Sequence, residues 1–155
     1  MDGTVAENIV RFGEQDETKL AEAIDLLGLH ELINKLPHGL GSQIGSDGAL
    51  LSGGQRQLIG LARAVYGAPK IIILDEPNAN LDQAGEKHLQ QMITKLKQQG
   101  TTFVVISHLQ HIVGIADYLL VMMQGQVLRF GKPTEVMTSL QATQMSEPNA
   151  KAVKA

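Results

Sequence analysis

The sequence predicts an α/β fold with a parallel sheet, preceded by a smaller helical lobe. Two bare aliphatic runs, within residues 70–74 and 101–107, are typical of strands in a parallel sheet that is buried on both faces. Helical patterns lie before and between them, and this alternation favours a parallel α/β arrangement. Because 43% of the residues are hydrophobic and only 3% are aromatic, we expect an aliphatic core.

Three helices are predicted in the first lobe, which covers residues 2–66. The first helix has one apolar side, since its Leu, Ala and Ile side chains recur at i, i+3, i+4 and i+7, and Gly28 is placed to end it. Ser52 is suited to cap the third helix through its hydroxyl oxygen. In order, we expect a lead-in over 2–13, helices over 16–27 and 30–36, a glycine-rich loop over 37–50, and a helix over 52–67.

The second lobe, residues 67–142, is predicted to contain the sheet. Asp82 is a good N-cap for a helix whose apolar residues again repeat with helical spacing, and Gln124-Gly125 between two apolar runs indicates a hairpin. The expected elements are strands over 70–74 and 101–107, helices over 82–100, 108–116 and 133–140, and a hairpin of 117–123 with 126–130. The small, polar residues 143–155 are predicted to form a disordered tail.

Composition and charge argue against several classes of function. A net charge of −3, a pI near 5.9 and the lack of a basic stripe argue against nucleic acid as the main partner. The absence of cysteine excludes disulfides and thiolate metal sites, and fits a reducing compartment. The longest apolar runs are far shorter than the ~18–20 residues that span a bilayer, and the opening residues carry no secretion signal. We therefore expect a soluble chain without a transmembrane segment.

A glycine-rich turn is predicted at the start of the third helix. It consists of Ser52, Gly53, Gly54 and Gln55. The free amides of a helix's first turn, together with the helix dipole, attract phosphate. The paired glycines would let the backbone approach an oxyanion closely, and Ser52 and Gln55 would add side-chain donors. A simple N-cap is the plainer alternative, but the acidic strand further along the chain favours a phosphate site.

Two carboxylates, Asp75 and Glu76, follow the aliphatic run Ile71–Leu74. The carboxyl ends of parallel strands form the edge at which open α/β folds bind ligands. Asp75 is suited to hold Mg²⁺ through its water shell, and Glu76 to orient or deprotonate an attacking water. The plainer alternative is a strand that ends in polar residues before Pro77, and the Leu81-Asp82 pair that follows favours the site.

His108 follows the second predicted strand and therefore faces the same sheet edge, where it is placed to donate a hydrogen bond to a terminal phosphate. The sequence contains no Gly-x-x-x-x-Gly-Lys-Ser/Thr loop, and no lysine is followed by Ser or Thr. That loop is the usual clamp for the β- and γ-phosphates. The residues thus predict half of a site for a nucleoside triphosphate and magnesium.

Taken together, these motifs resemble the C-terminal part of an ATP-binding cassette (ABC) ATPase domain, the nucleotide-driven engine of ABC transporters. Leu51–Gln55 matches the signature motif of that family, and Ile71–Glu76 matches its Walker B strand. Asn80, Leu81 and Asp82 match the D-loop, and His108 matches the switch histidine. The resemblance extends over about residues 2–140, with all four motifs in order and at the expected separations.

Two segments narrow the resemblance to exporters. Residues 2–9 resemble the segment of exporter-type cassettes that lies just past the Q-loop and faces the membrane domain. The sequence from Asp75 to Asp82, chiefly Asn78 and Asn80, is similar to type I secretion ABC exporters, which move proteases and related proteins out of Gram-negative bacteria. Ser46-Asp47 is a departure, since Glu-Gly is more usual before the signature.

The resemblance implies a partial P-loop NTPase core that uses ATP and Mg²⁺. In the family, two cassettes face each other head to tail, so Asp75, Glu76 and His108 would act on a nucleotide held in cis and Ser52–Gln55 on one held in trans. The implied partners are a second ABC ATPase domain, the transporter's membrane domain and an exported polypeptide, at the cytoplasmic face of the bacterial inner membrane. The family's Walker A loop would lie upstream of Met1, so the chain is expected to be a C-terminal section that is inactive alone.

Other functions share these motifs. A non-catalytic chain could dock on an intact cassette through its signature face and modulate it, and it would then associate in an ATP-dependent way. A DNA-repair or chromosome-maintenance ATPase is disfavoured, because such proteins insert long heptad coils between the two halves and no heptads are present. An importer cassette is disfavoured by the exporter-like residues 2–9.

Overall fold

The computed structural model of the chain describes residues 2–45, 51–108 and 110–145. Two compact units are distinguished, residues 1–108 and 109–155. The lobes inferred from the sequence, with a boundary between residues 66 and 67, stay a prediction. None of the helices in the described ranges has both the length and the apolar character needed to cross a bilayer.

Helix-capping side chains fix where the longer helices of the first unit begin. Oxygen atoms of Asp16, Ser52 and Asp82 each accept a hydrogen bond from the backbone amide three residues on. Gly28 ends the first long helix in a left-handed conformation with φ 61°. The unit contains α1 (Val5–Ile9), α2 (Glu17–Leu27), α3 (His30–Lys35), α4 (Gly53–Val65), β1 (Ile71–Asp75), α5 (Gln83–Gln98) and β2 (Thr102–Ile106), with a 3-10 turn at Gly39–Gly41. Apart from α1 and the 3-10 turn, the predicted order of helices and strands is confirmed.

Helix α1 lies where the sequence was expected to form only a lead-in. A capping box starts it, in which the Glu7 amide donates to Thr4 Oγ1 at 3.1 Å and the Thr4 amide donates to Glu7 Oε2 at 2.7 Å. This pattern satisfies two amides that a helix otherwise leaves without partners. The spacing Thr4-x-x-Glu7 was the available signal for this helix.

Strands β1 and β2 form a parallel pair, with Ile71 opposite Thr102 and Asp75 opposite Ile106. The expectation that both strands are buried on both faces is wrong. One face is covered, since Ile72 and Leu74 are buried and α5 packs on β2. The other face exposes aliphatic side chains to solvent, namely Ile71 (64%), Ile73 (69%), Val104 (50%) and Ile106 (54%). The described residues supply a helical layer to only one side of this sheet, whereas a parallel sheet is fully buried only when helices cover both.

The core of the first unit lies between its helices. Helix α4 packs on α1 and α2, and α2 packs on α5. The apolar faces of these helices are buried, and those of α2 and α5 are the ones that the helical spacing predicted. They comprise Leu20, Ala23, Ile24 and Leu27 of α2, Ile59, Leu61, Ala62 and Val65 of α4, and Leu89, Met92, Ile93 and Leu96 of α5. The predicted aliphatic character of the core is confirmed.

The second unit contains the hairpin that was predicted at Gln124-Gly125. Both turn residues have positive φ, 51° and 76°, as a two-residue connection between twisted antiparallel strands favours. The elements are α6 (Gln110–Gly114), β3 (Leu119–Met123), β4 (Gln126–Gly131) and α7 (Pro133–Met145). Helix α7 continues beyond its predicted end at residue 140, because residues 143–145 are helical rather than part of the predicted tail. Residues 146–155 of that tail lie outside the described residues.

Candidate functional site

Strand β1 delivers two carboxylates to the carboxyl end of the parallel pair. Asp75 is its last residue and is exposed. Glu76 follows with φ 42°, a left-handed conformation that is uncommon for a residue with a side chain and costs of order 1 kcal/mol. Its backbone is held on both sides, since the Glu76 amide donates to Ile106 O at 2.9 Å and its carbonyl accepts from the Ala79 amide at 3.1 Å. The turn at Glu76 is therefore fixed by the neighbouring strand.

The structure brings His108 to Glu76, as the order of the strands predicted. His108 Nδ1 lies 3.3 Å from Glu76 Oε1 and 3.2 Å from Oε2, and only the contact with Oε1 has the geometry of a hydrogen bond. Oε2 is buried and accepts no hydrogen bond from the described residues, although the Glu76 side chain as a whole is 42% exposed. The His108 side chain is 76% exposed. A partly exposed carboxylate beside an imidazole is suited to bind or deprotonate a small donor such as water.

Three polar side chains brace the loop that follows β1. Ser107 Oγ donates to Asn78 Oδ1 at 3.1 Å, and Asn78 is buried. Gln57 Nε2 of α4 donates to Pro77 O at 3.0 Å. These bonds tie the loop that carries Glu76 to the end of β2 and to α4. From the sequence alone, Asn78 is only a marker of the exporter subfamily. The contacts of Ser107 and Gln57 leave no local signal, because each joins residues that are distant in the sequence.

The predicted phosphate turn forms a capping box at the start of α4. The Gln55 amide donates to Ser52 Oγ at 3.2 Å, and the Ser52 amide donates to Gln55 Oε1 at 2.8 Å. The two oxygen atoms are thus engaged as acceptors, so what the side chains can still offer a ligand is the Ser52 hydroxyl hydrogen and the Gln55 amide group. The amides of Gly53 and Gly54 have no acceptor within residues 2–45 and 51–108. They remain candidate donors to an anion.

The glycine pair also has a structural reason within the chain. A Cβ atom at Gly54 would lie 2.6 Å from the backbone oxygen of Asn80, and one at Gly53 would lie 3.3 Å from Asn80 Oδ1. From the sequence, the two glycines are expected to serve the approach of an oxyanion. In the structure the close approach is made by Asn80, so the signature turn and the predicted D-loop are in contact. The next two residues of that loop, Leu81 and Asp82, lead into α5, which Asp82 caps.

ATP and Mg²⁺ fit these residues in part. The exposed carboxylate of Asp75 is a hard oxygen donor of the kind that magnesium takes, usually with several of its own waters retained. Within the described ranges no three His, Cys, Asp or Glu side chains are grouped to hold a metal ion directly. The amides of Gly53 and Gly54 suit a phosphate. The sequence supplies no glycine-lysine loop to clamp the β- and γ-phosphates.

Comparison with known protein families gives one match. The family described as "ABC transporter" matches residues 1–79. Among curated proteins, a "Type I secretion system ATP-binding protein PrsD" from Rhizobium meliloti is 37% identical over 150 residues, which are 96% of this chain and 26% of that protein. An "ATP-dependent lipid A-core flippase" from Nitrosococcus oceani is 40% identical over 139 residues, 86% of this chain and 23% of that protein. A "Multidrug resistance protein 1" from Entamoeba histolytica is 37% identical over 139 residues, 87% of this chain and 11% of that protein.

A solved structure described as a bacterial Atm1-family ABC exporter with ATP bound superposes with a TM-score of 0.80. The alignment covers 95% of this chain and 27% of that one, at 23% identity, and therefore concerns the fold alone. The chain spans about a quarter of the length of this structure and of the first two relatives named above. The predicted α/β ATPase fold is confirmed.

Proposed function

The chain belongs to the ABC transporter family, and on that premise we propose that it is the C-terminal section of an exporter ATPase domain. In that domain the binding and hydrolysis of ATP drive export across a membrane. The proposal includes Mg²⁺ as the metal, a second ABC ATPase domain as the head-to-tail partner, and a transporter membrane domain at the cytoplasmic face of the bacterial inner membrane.

The pairing of Glu76 with His108 is the observation that carries this proposal. Both follow paired parallel strands, and Glu76 Oε2 is buried with spare acceptor capacity 3.2 Å from His108 Nδ1. Glu76 is assigned to orient or deprotonate the attacking water, and His108 to donate to a terminal phosphate. Asp75 is assigned to Mg²⁺ through water. When bound, ATP supplies the phosphoryl group that is transferred to water, and Mg²⁺ neutralises charge on the phosphate oxygens.

The signature turn is assigned to a nucleotide held by the partner domain. The amides of Gly53 and Gly54, which have no acceptor among the described residues, lie at the positive end of α4, a 13-residue helix, and this position favours an anion. Asn80 lies against the two glycines, so the D-loop and the signature turn keep a fixed relation in each subunit. One chain therefore offers hydrolytic groups to one ATP and backbone donors to another.

Type I protein secretion is the proposed kind of export, with a polypeptide as the exported cargo. Two observations support it: Asn78 and Asn80 between the Walker B carboxylates and Asp82 are similar to that subfamily, and one relative is named a type I secretion protein. The other relatives carry names of lipid flippases and a multidrug resistance protein. The cargo therefore needs its own test.

A chimera tests the hydrolytic roles. The 155 residues replace the matching section of the Rhizobium meliloti relative, and ATP turnover is measured. Glu76→Gln is expected to lower turnover by roughly 10²–10⁴-fold, the range typical of a lost general base, while leaving nucleotide binding intact. Glu86→Gln, a matched change in the first turn of α5, should leave turnover unchanged. Full turnover by the Glu76→Gln chimera would remove Glu76 from the chemistry.

A second scaffold tests the type of export. The same 155 residues are placed in the Nitrosococcus oceani flippase, and each chimera is assayed for the transport activity of its parent. Transport in the type I scaffold alone supports type I secretion. Equal transport in both scaffolds contradicts that assignment while leaving the exporter function in place, and transport only in the flippase scaffold would assign lipid export instead.

A further inference from the structure

We propose that Asn8, Arg11 and Arg63 hold α1 and α4 as one rigid unit by capping each other's C-terminal ends, and thereby position the Ser52–Gln55 turn. The three residues are positioning residues, because none of them belongs to the groups assigned to ATP. The link between α1 and α4, called the mechanical link below, is supported by contacts within residues 1–108. Its meaning for nucleotide binding rests on the proposed function.

Arg63 caps the carboxyl end of α1. Its Nε donates to Asn8 O at 2.7 Å, and its NH2 donates to Asn8 Oδ1 at 2.6 Å. A guanidinium at the carboxyl end of a helix stabilises the terminal carbonyls through its charge and its hydrogen bonds. The forked geometry uses two donors of one planar group, which Lys cannot reproduce.

Arg11 makes the reverse contact from the chain just after α1. Its Nε and NH2 donate to Arg63 O at 3.2 and 3.0 Å, and NH2 also lies 3.5 Å from Ala64 O. These carbonyls belong to the last turn of α4. Arg11 has φ 60° and Phe12 has φ 58°, so the chain reverses sharply in order to return the guanidinium to α4. Two adjacent left-handed residues persist only where their surroundings hold them.

Asn8 is the buried centre of the arrangement. It is 1% exposed, and its Nδ2 donates to Asp2 O at 2.8 Å and to Thr4 O at 2.9 Å while its oxygen accepts from Arg63. All polar atoms of its side chain are therefore satisfied. Helix α1 has only five residues, too few to be stable by itself in water, so its existence depends on these contacts and on packing against α4.

The far end of α4 carries the signature turn. The helix has 13 residues and is therefore about 20 Å long, and it is continuous from Gly53 to Val65. The buried face of α4 packs against α1 and α2, so α4 loses one of these two packing partners when α1 detaches. A shift of α1 then moves the whole of α4, including the amides at Gly53 and Gly54.

Hydrogen exchange on the 155-residue chain tests the mechanical link without nucleotide. Arg63→Gln and Asn8→Ala are each expected to speed amide exchange at least ~10-fold in residues 5–9 and also in residues 53–58. Arg129→Gln, a matched change in β4, should leave both segments unchanged. Faster exchange in 5–9 alone would overturn the proposal, because it would show that the contacts stabilise α1 without positioning α4.

A conservative variant separates positioning from general loss of stability. Asn8→Asp places a carboxylate beside Arg63 and so keeps the link to α4, but it removes the donors to Asp2 O and Thr4 O. Exchange should therefore rise in residues 2–5 and stay near wild type in 53–58. If Asn8→Asp and Asn8→Ala loosen residues 53–58 equally, the link through Arg63 does not position α4. This comparison also decides the matter if Arg63→Gln fails to fold.

The chimera described above gives the functional readout. Arg63→Gln is expected to lower kcat for ATP about 10-fold with a smaller change in KM, because the turn acts on nucleotide that other residues bind. An unchanged kcat, together with loosened residues 53–58, would overturn the functional half of the proposal. A chimera that is inactive even with Arg63 intact would count against the proposed function instead, while the exchange experiments still decide the mechanical link.

Discussion

Adding one methyl group at Gly54 separates the two reasons for the glycine pair at the start of α4. If the pair serves only the approach of a phosphate, Gly54→Ala leaves the free chain unharmed. If Asn80 sets the spacing, the new Cβ atom collides with a backbone oxygen at 2.6 Å, and backbone cannot rotate away as a side chain can. Gly60, on the same helix, provides a matched control because its Cβ position has no atom within 4 Å.

The magnitudes follow from two opposing effects. Replacing a helical glycine by alanine stabilises a helix by up to ~1 kcal/mol, and this gain is the expected result at Gly60. Overpacking at a close contact costs about 1–3 kcal/mol, so Gly54→Ala should be destabilised by about 1–2 kcal/mol. Gly53→Ala should fall between the two, because its nearest neighbour is the Asn80 side chain at 3.3 Å. We expect the Gly54 and Gly60 variants to differ by roughly 2–3 kcal/mol, which corresponds to roughly 5–10 °C in Tm for a chain of this size.

Urea and thermal unfolding followed by far-ultraviolet circular dichroism measure this difference in dilute solution. The order of stability should be Gly60→Ala, wild type, Gly53→Ala and Gly54→Ala, from highest to lowest. Equal stability of the Gly54 and Gly60 variants would refute the contact with Asn80 as the reason for the pair. The approach of an anion would then be the remaining explanation.

Three further predictions concern the isolated chain. Without a glycine-lysine loop the chain lacks about five charge-assisted hydrogen bonds to ATP, a loss of more than ~7 kcal/mol of binding free energy. Calorimetry should therefore detect no binding of ATP with Mg²⁺ at physiological concentrations, and micromolar affinity would contradict this. The exposed apolar face of the parallel sheet, at Ile71, Ile73 and Val104, should make the chain self-associate. Ile73→Lys should reduce that association in sedimentation experiments, and a wild-type chain that is monomeric would contradict the prediction. Hydrogen bonds from the Thr4 amide and hydroxyl lower the pKa of Glu7 below its ordinary value of 4.5. The ionised Glu7 side chain therefore stabilises α1 fully above pH 4.5, and this stabilisation is lost as the pH falls through the lowered pKa. The protection of the amides in residues 5–9, expressed relative to their intrinsic exchange rate at each pH, should therefore fall on acidification below about pH 4.5, and Glu7→Gln should flatten that dependence.

Much of the fold could be predicted because the signals are local. Ser52 and Asp82 cap the helices that they were predicted to cap, and Asp16 caps a helix at the residue where that helix was predicted to begin. The hairpin at Gln124-Gly125 follows from turn chemistry. The meeting of Glu76 and His108 followed from the rule that parallel strands end at one edge of a sheet.

Other features depend on neighbours that a local pattern does not show. The exposure of Ile71 and Ile73 depends on which faces of the sheet are covered by helices, and an aliphatic run in the sequence does not indicate this. The contact of Gly54 with Asn80 joins segments separated by β1. Helix α1 was missed despite its Thr4-x-x-Glu7 spacing, because five residues are too few for an apolar period to be visible.

The sequence by itself determined the order of the helices and strands other than α1, the two acidic residues at the end of β1 and the family to which the chain belongs, since these depend on residue types and spacings along the chain. The tertiary structure alone decided the left-handed turn at Glu76, the link between Asn8 and Arg63, and the Asn80 contact behind the glycine pair. The physical reason is that hydrogen bonds and close contacts between distant segments form only when packing has brought their atoms within a few ångströms.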